Sequence, residues 1–265
     1  MINVEVIADS IHNNNRLTTL QVSYPRYIHS EFMTHRVFSR NAQSSRAIPV
    51  SKLIEEIEKS NWYPIWMTNK SGMSAEEGLN SVDIEDAKYL WDAARRNAID
   101  VAYGLSNLKV HKQIVNRVLE PFSTIKVIVS ATDWDNFFNL RIHPAAQQEI
   151  QILATTIRDL MNTSTPTRLD IGQWHLPYLR EDEAIFNLDL KKAISTARCA
   201  RVSYLNHTKQ NDLSKDIQLH DQLLAEKHMS PFEHQATPWA NTRSANFQGW
   251  RQYRYEVEGR LIGRL

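Results

Sequence analysis

The sequence predicts an α+β fold, and three observations carry that prediction. Two runs near the N-terminus, INVEVIADS and LTTLQVSYP, alternate apolar and polar residues and are rich in β-branched side chains, the pattern of half-buried strands. A third β-branched run, STIKVIVSAT, lies between Ser123 and Thr132. Around them, long stretches place apolar residues three and four positions apart, the spacing of amphipathic helices.

The elements follow in order. The first two strands are joined by the polar turn IHNNNR, and Pro25 ends the second. RYIHSEFMTHRVF sets Tyr27, Ile28, Phe32 and Met33 at helical spacing. HRVFSRNAQSSRAIP, from His35 to Pro49, then reads as a loop. VSKLIEEIEKS predicts a short amphipathic helix opening at Ser51, with Glu55 in reach for capping. NWYPIWMTNKSGMS is loop. DIEDAKYLWDAARRNAIDVAYGLSNL predicts a long helix with its acids early, and HKQIVNRVLEP a second helix stopped near Pro121. After the third strand, DWDNFFNLR and AAQQEIQILATTIRDLMNT return to helix. STPTRLDIGQWHLPYL is an irregular connector, and the region 163–190 is the one candidate seam in a single domain over 1–265. LDLKKAISTARCARVSYL is helical at its start, LSKDIQLHDQLLAEKH is an amphipathic helix, and MSPFEHQATP is a loop. The tail NFQGWRQYRYEVEGRLIGRL shows no dominant period.

Bulk properties narrow the function. A net charge of +1 excludes a general nucleic-acid coat, so any anion site is local. The one cysteine, Cys199, rules out an internal disulfide and a Cys-rich zinc site, and it has no nucleophile signature around it; a buried structural thiol is expected. No apolar run is long enough to span a membrane and no signal-peptide core appears, which points to the cytoplasm. With seven glycines, neither a P-loop nor a dinucleotide fingerprint is present.

The stretch His35–Pro49 gathers His35, Arg36, Arg40 and Arg46 among Ser39, Ser44, Ser45, Asn41 and Gln43, without an acid. Guanidinium groups and serine hydroxyls together suit a phosphate or pyrophosphate; a solvated basic loop explains the composition equally well. Arg117 sits in an apolar helical segment, where snorkelling to solvent is the simpler account. Asn136, Arg141, His143 and Gln147 cluster near one helix end, a set able to read a pyrimidine edge, though capping alone would explain it. Glu233 and His234 are too few ligands for a metal.

These fragments, taken together, resemble one family. HRVFSRNAQSSR resembles the arginine-rich signature of the flavin-dependent thymidylate synthases: His35, Arg36, Ser39, Asn41, Ser44 and Arg46 match in order and spacing. Glu31 falls where the family has a nucleotide-contacting glutamine, and NRVLEP places Arg117 at a substrate-phosphate arginine. NFFNLR followed by AAQQEI matches at Asn136, Arg141 and Gln147, while ARVSY and SPFEH map to a flavin-contacting Ser203 and His234. The last two segments precede the arginine signature in common members and follow it here, so the chain resembles a circularly permuted, long variant group associated with phage and bacterial genomes. Thr34, Ala42 and Ala145 stand where the family has arginine, glutamate and histidine.

The resemblance implies a central antiparallel sheet flanked by long helices, and the reductive methylation of dUMP to dTMP. FAD would be the cofactor, with NADPH and 5,10-methylenetetrahydrofolate as co-substrates. It implies that Glu31, Ser44, Arg46, Arg117 and Arg141 bind the nucleotide, Arg141 and Ser44 acting in catalysis. His35, Arg36, Ser39, Asn41, Asn136, Ser203 and His234 would hold the flavin. It also implies a homotetramer with sites between subunits. If the permutation holds, the region after His234 lies near the start of the LTTLQVSYP strand. Ala42 and Ala145 motivate an alternative, a sister flavoenzyme that acts on dCMP or leaves a hydroxymethyl group. A second alternative is a non-catalytic nucleotide- or RNA-binding protein, for which the tail's aromatics and Arg251 and Arg254 would form a stacking surface. The tail arginines could equally replace the one missing at position 34.

Overall fold

A computed structural model describes residues 2–72, 75, 77–203 and 212–261, without the side chains of Ser203 and Leu261. The elements run β1 (Asn3–His12), β2 (Asn15–Pro25), α1 (His29–Met33), β3 (Ser39–Ala42), α2 (Val50–Glu58), α3 (Ser81–Asn107), α4 (Lys112–Leu119), β4 (Thr124–Ala131), α5 (Asp135–Arg141), α6 (Gln148–Thr163), β5 (Thr167–Arg168), α7 (Leu188–Ala200), α8 (Leu213–Ala225), β6 (Ala236–Ser244), β7 (Phe247–Gln252) and α9 (Tyr253–Leu261). The result is an α+β fold with a central five-stranded sheet in the order β3-β4-β2-β1-β5. Every pairing is antiparallel except the two-residue β1·β5 contact, which is parallel. No described helix is long and apolar enough to cross a membrane.

One face of the sheet presents Leu20, Val22 and Tyr24 of β2 with Ile125, Val127 and Val129 of β4. Helix α6 covers it with Ile150, Leu153, Ala154 and Ile157, and Phe32, Phe38, Trp134 and Phe137 complete the cluster. A satellite core unites α2, α3 and α4 through Leu53, Ile54, Ile57, Ile99, Val115 and Leu119.

The opposite face is different in kind. Thr19 and Gln21 of β2, Ile128 and Ser130 of β4 and Ser39 of β3 make a largely polar layer. The C-terminal third covers it: Cys199 and Val202 pack on Ile128, Leu17 lies with Ala236, Phe247 and Trp250, and Tyr178 Oη donates to Gln21 Oε1 at 2.8 Å. Burial at 0% exposure pushes the Cys199 thiol pKa up, as expected for a structural thiol.

Several elements differ from the sequence reading. The β1–β2 turn is only Asn13–Asn14, with Asn13 at φ 51°, because pairing continues to His12↔Asn15. The first helix stops at Met33, and Phe38 is reached through a non-helical turn. Part of the expected loop is strand β3, since β4 offers it a free edge and pairs with Ser39–Ala42. Helix α2 opens at Val50 after Pro49 without a side-chain cap, and Glu55 pairs instead with Lys59. SPFEH begins as a 3-10 turn, Ser230–Glu233.

The tail forms a hairpin and a helix that dock onto the sheet. Trp250 Nε1 donates to Asn15 O at 3.1 Å, so the region after His234 does lie at the start of β2. Lys192 of α7 anchors α9, its ammonium 3.2 Å from Glu256 and over the rings of Trp174 and Tyr253. Gly249 sits at φ 75°, and a Cβ there would come within 2.5 Å of Asn15 Nδ2 and 2.9 Å of its Cβ. Gly249→Ala is therefore expected to destabilise the protein by roughly 1–3 kcal/mol, read as a lower urea midpoint at unchanged m-value.

Candidate active site

The donor-rich stretch forms one wall of a cavity of about 610 Å³, a size typical of ligand sites. Arg40, Asn41, Ser44 and Arg46 line it from β3 and the turn that follows. Gln113 of α4, and Glu226 and His228 beyond the end of α8, face them. Arg40 is half-buried, and burial lowers its pKa; one of its N–H groups donates to Phe32 O at 3.3 Å. Asn41 Nδ2 is buried without an acceptor among the described residues, a donor left over for a ligand.

The stretch finds its missing acid in Glu120, just past the end of α4. Ser45 Oγ donates to this carboxylate at 2.6 Å, Arg117 Nη1 at 2.9 Å and Arg26 Nη1 at 3.5 Å. Arg117 is thus an exposed arginine paired within its own helix end, and it does not line the cavity.

A second group assembles where α1 meets the end of α5. Arg141 Nε donates to His35 Nε2 at 2.9 Å, and its Nη2 donates to Thr34 Oγ1 at 2.8 Å and to Glu31 O at 3.2 Å. Thr34 Oγ1 in turn donates to Glu31 O at 2.7 Å. Position 34, which lacks the family arginine, therefore holds another arginine in place. His35 is buried against Phe38 and the edge of Phe137, and its pKa falls to about 4 through burial and the nearby cations Arg141 and Arg40. A neutral His35 can accept from Arg141; an imidazolium could not. Gln147 Nε2 is turned to Glu149 Oε2 at 3.0 Å, and His143 Nδ1 accepts from Ala145 N at 3.1 Å.

The remaining candidates do not join either group. Ser39 Oγ accepts from Gln252 Nε2 at 2.9 Å and Asn246 Nδ2 at 3.1 Å, both from the tail. His234 is fully buried, bonded through Nδ1 to Ser130 Oγ at 2.9 Å. Arg36 and Asn136 are exposed, and the Ser203 side chain falls outside the described residues. Arg254 pairs with Glu233 at 2.6 Å and Glu258 at 2.8 Å, while Arg251 pairs with Glu256 at 3.2 Å and stacks 4.1 Å from the Trp239 ring centroid. Sequence reasoning places Arg40 among the donors of the anion-binding stretch but offers no signal for Gln113, Glu226 and His228. Arg40 lies inside the motif, but no spacing links the other three to it.

The family described as Thymidylate synthase complementing protein matches residues 15–167, more than half of the chain. The chain belongs to this family. The match takes in the whole arginine stretch, the Arg141 group and the sheet except β1, whereas the cover of the polar face lies almost wholly beyond it. A flavin-dependent thymidylate synthase from Pseudothermotoga lettingae is 25% identical over 151 residues, 56% of this chain and 62% of that protein. The crystal structure of a UMP/dUMP methylase, PolB from Streptomyces cacaoi, bound with 5-Br UMP, superposes with a TM-score of 0.50 at 16% identity. That superposition covers 61% of this chain and 88% of the methylase, and establishes a shared fold.

Proposed function

We propose that this chain reductively methylates dUMP to dTMP, with FAD as cofactor, methylenetetrahydrofolate as one-carbon donor and NADPH as reductant. The observation that carries this reading is the preorganised Arg141. Its Nε and Nη2 are held by His35, Thr34 and the Glu31 carbonyl, while Nη1 has no bond among the described residues. A fixed cation with a spare donor stabilises charge that grows on a pyrimidine carbonyl more than it stabilises the ground state.

The cavity residues fit the cofactor. Arg40, Asn41, Ser44 and Arg46 offer donors for phosphate oxygens on one wall, and Asn41 Nδ2 has no acceptor among the described residues. Asn41 and Arg40 would hold the flavin's pyrophosphate, and Ser44 and Arg46 the nucleotide phosphate; Arg117 would join only by leaving Glu120. When bound, the flavin supplies the hydride; the chain's residues bind, orient and neutralise charge. Within one chain, Arg141 and His35 lie outside the cavity lined by Arg46. A homotetramer whose sites form between subunits would bring the two groups together, and this is part of the reading. A permuted segment order is also part of it, supported by the contact between Trp250 and Asn15.

The test uses purified protein with FAD, dUMP, NADPH and methylenetetrahydrofolate, with products identified by mass. Wild-type protein should form dTMP, and Arg141→Ala should lower kcat about 10²–10³-fold while the flavin absorption band remains. Absence of dTMP from the wild type would overturn the assignment. Ala42 lines the cavity where the family has a carboxylate, which favours a sister activity as the second reading. A methylated or hydroxymethylated product from dCMP in the same assay would establish it.

A further inference from the structure

Two histidines that neither group uses are buried in the polar layer of the sheet, and they belong to one chain of five side chains. Ser10 Oγ lies 2.8 Å from His175 Nδ1, and His175 Nε2 lies 2.7 Å from Thr19 Oγ1. Thr19 Oγ1 lies 2.6 Å from Ser130 Oγ, and Ser130 Oγ lies 2.9 Å from His234 Nδ1. Exposure along this chain nowhere exceeds 5%. One end opens on a second cavity of about 540 Å³, lined by Ser10 and His175 with Asp9, Gln173, Trp174 and Lys191. The other end is His234 Nε2, buried with no partner among the described residues. His234 lies three residues beyond Pro231, which lines the main cavity.

We propose that Ser10, His175, Thr19, Ser130 and His234 form a single polarised hydrogen-bond chain that reverses as a unit, so that the second cavity governs whether His234 Nε2 is a donor or an acceptor. The argument is a proton count. Each link between two oxygens, or between an oxygen and a ring nitrogen, holds one proton. A neutral imidazole has one N–H and one bare nitrogen. If Ser10 donates to His175 Nδ1, then His175 Nε2–H donates to Thr19, Thr19 to Ser130 and Ser130 to His234 Nδ1. His234 then carries its proton on Nε2. Reversal puts the proton of both rings on Nδ1 and leaves His234 Nε2 bare. Both histidines must therefore share one tautomer.

Mixed tautomers break the count. With His175 protonated at Nδ1 and His234 at Nε2, both hydroxyls donate to rings, and two oxygens 2.6 Å apart face each other without a proton between them. The converse mixture leaves one hydroxyl proton with no acceptor among the described residues. Both rings stay neutral, because burial lowers the pKa of each to about 3. Reversal toward the Nδ1 form moves each proton one link along the chain: His234 Nε2 releases one to a water molecule reaching that end, Ser10 takes one up from hydronium in the second cavity, and the net charge is unchanged. Ser10, His175, Thr19 and Ser130 thus act as positioning residues for His234.

The experiment is nitrogen-15 NMR of histidine-labelled full-length protein, which reads the tautomer of each ring from its two nitrogen shifts, with His175→Gln and His234→Gln supplying the assignments. His175 and His234 are expected in the same tautomer. Ser10→Ala should move the His234 shifts although the two residues do not touch. Thr19→Val should remove that response and Thr19→Ser should retain it. Opposite tautomers in the wild-type protein, a measurement that needs no functional variant, would overturn the proposal. So would His234 shifts that ignore Ser10→Ala in a protein that remains folded.

Discussion

The melting temperature is expected to fall steeply as pH drops from 6.5 toward 4, before ordinary carboxylate protonation dominates. His175 and His234 are fully buried and their pKa values are lowered to about 3 by burial, which the neighbouring His175 reinforces for His234. His29 and His35 are lowered to about 4, by burial and then by the arginines packed near them. In the unfolded chain these groups take up a proton near their ordinary value of 6.5. Below that pH the unfolded state binds more protons than the folded one, so the stabilisation is complete above pH 6.5 and is lost on acidification. Each of the two fully buried rings withdraws on the order of 3 kcal/mol by pH 4, at ~1.4 kcal/mol per pH unit. Calorimetry from pH 8 to pH 4 checks this, and His175→Gln and His234→Gln should each flatten the slope. A melting temperature that stays level down to pH 5 would refute it.

Arg198→Ala should be the most damaging single substitution away from the candidate site. Arg198 donates to Glu183 through two nitrogens at 2.6 and 2.5 Å, to Asp216 at 3.2 Å and to Tyr178 O at 2.8 Å. The side chains of Glu183 and Asp216 are 2% and 0% exposed. Burial alone would raise the Glu183 pKa, but the hydrogen bonds from Arg198 and Arg180 N–H outweigh it and hold it below the ordinary value. Removing Arg198 strands two buried carboxylates, with only Arg180 and Arg201 still in contact among the described residues. Breaking such a network costs about 3–5 kcal/mol, or on the order of 10 °C in melting temperature for a chain of this size. Arg198→Lys keeps the charge but loses the fork, and should fall between the two. A shift for Arg198→Ala below about 2 °C would mean that the neighbouring arginines carry the network.

What was legible in the sequence follows from whether the signal was local. β1 and β2 announced themselves because apolar and polar residues alternate within each, and β4 because it is a β-branched run. α5 and α6 did so because their apolar faces repeat at helical spacing. β3 did not, because SRNA has no strand pattern and exists as a strand only beside the edge of β4. The tail hairpin was hidden for a similar reason. Its residues are specified by what they cover, Leu17 and Asn15, more than two hundred positions away. In the candidate site, Asn41, Ser44 and Arg46 were readable because one contiguous motif carries them. Glu226 and His228 reach the same cavity only through the packing of α8. Thr34 read as a loss, and the hydroxyl's grip on Arg141 needed coordinates.

The docking of β7 against Asn15 also has a consequence for how the chain acquires its structure. β2 leaves the ribosome early, but the Trp250 indole that caps its first carbonyl is translated 235 residues later. Until then the polar face of the sheet lacks its cover, and the loop to be closed is nearly the length of the chain. Such long-range contacts slow folding, because chain entropy is lost before they form. Joining the β6–β7 hairpin ahead of β2 would turn the most distant contact in the fold into a local one. Folding rate, more than final stability, is where such a rearrangement would be felt.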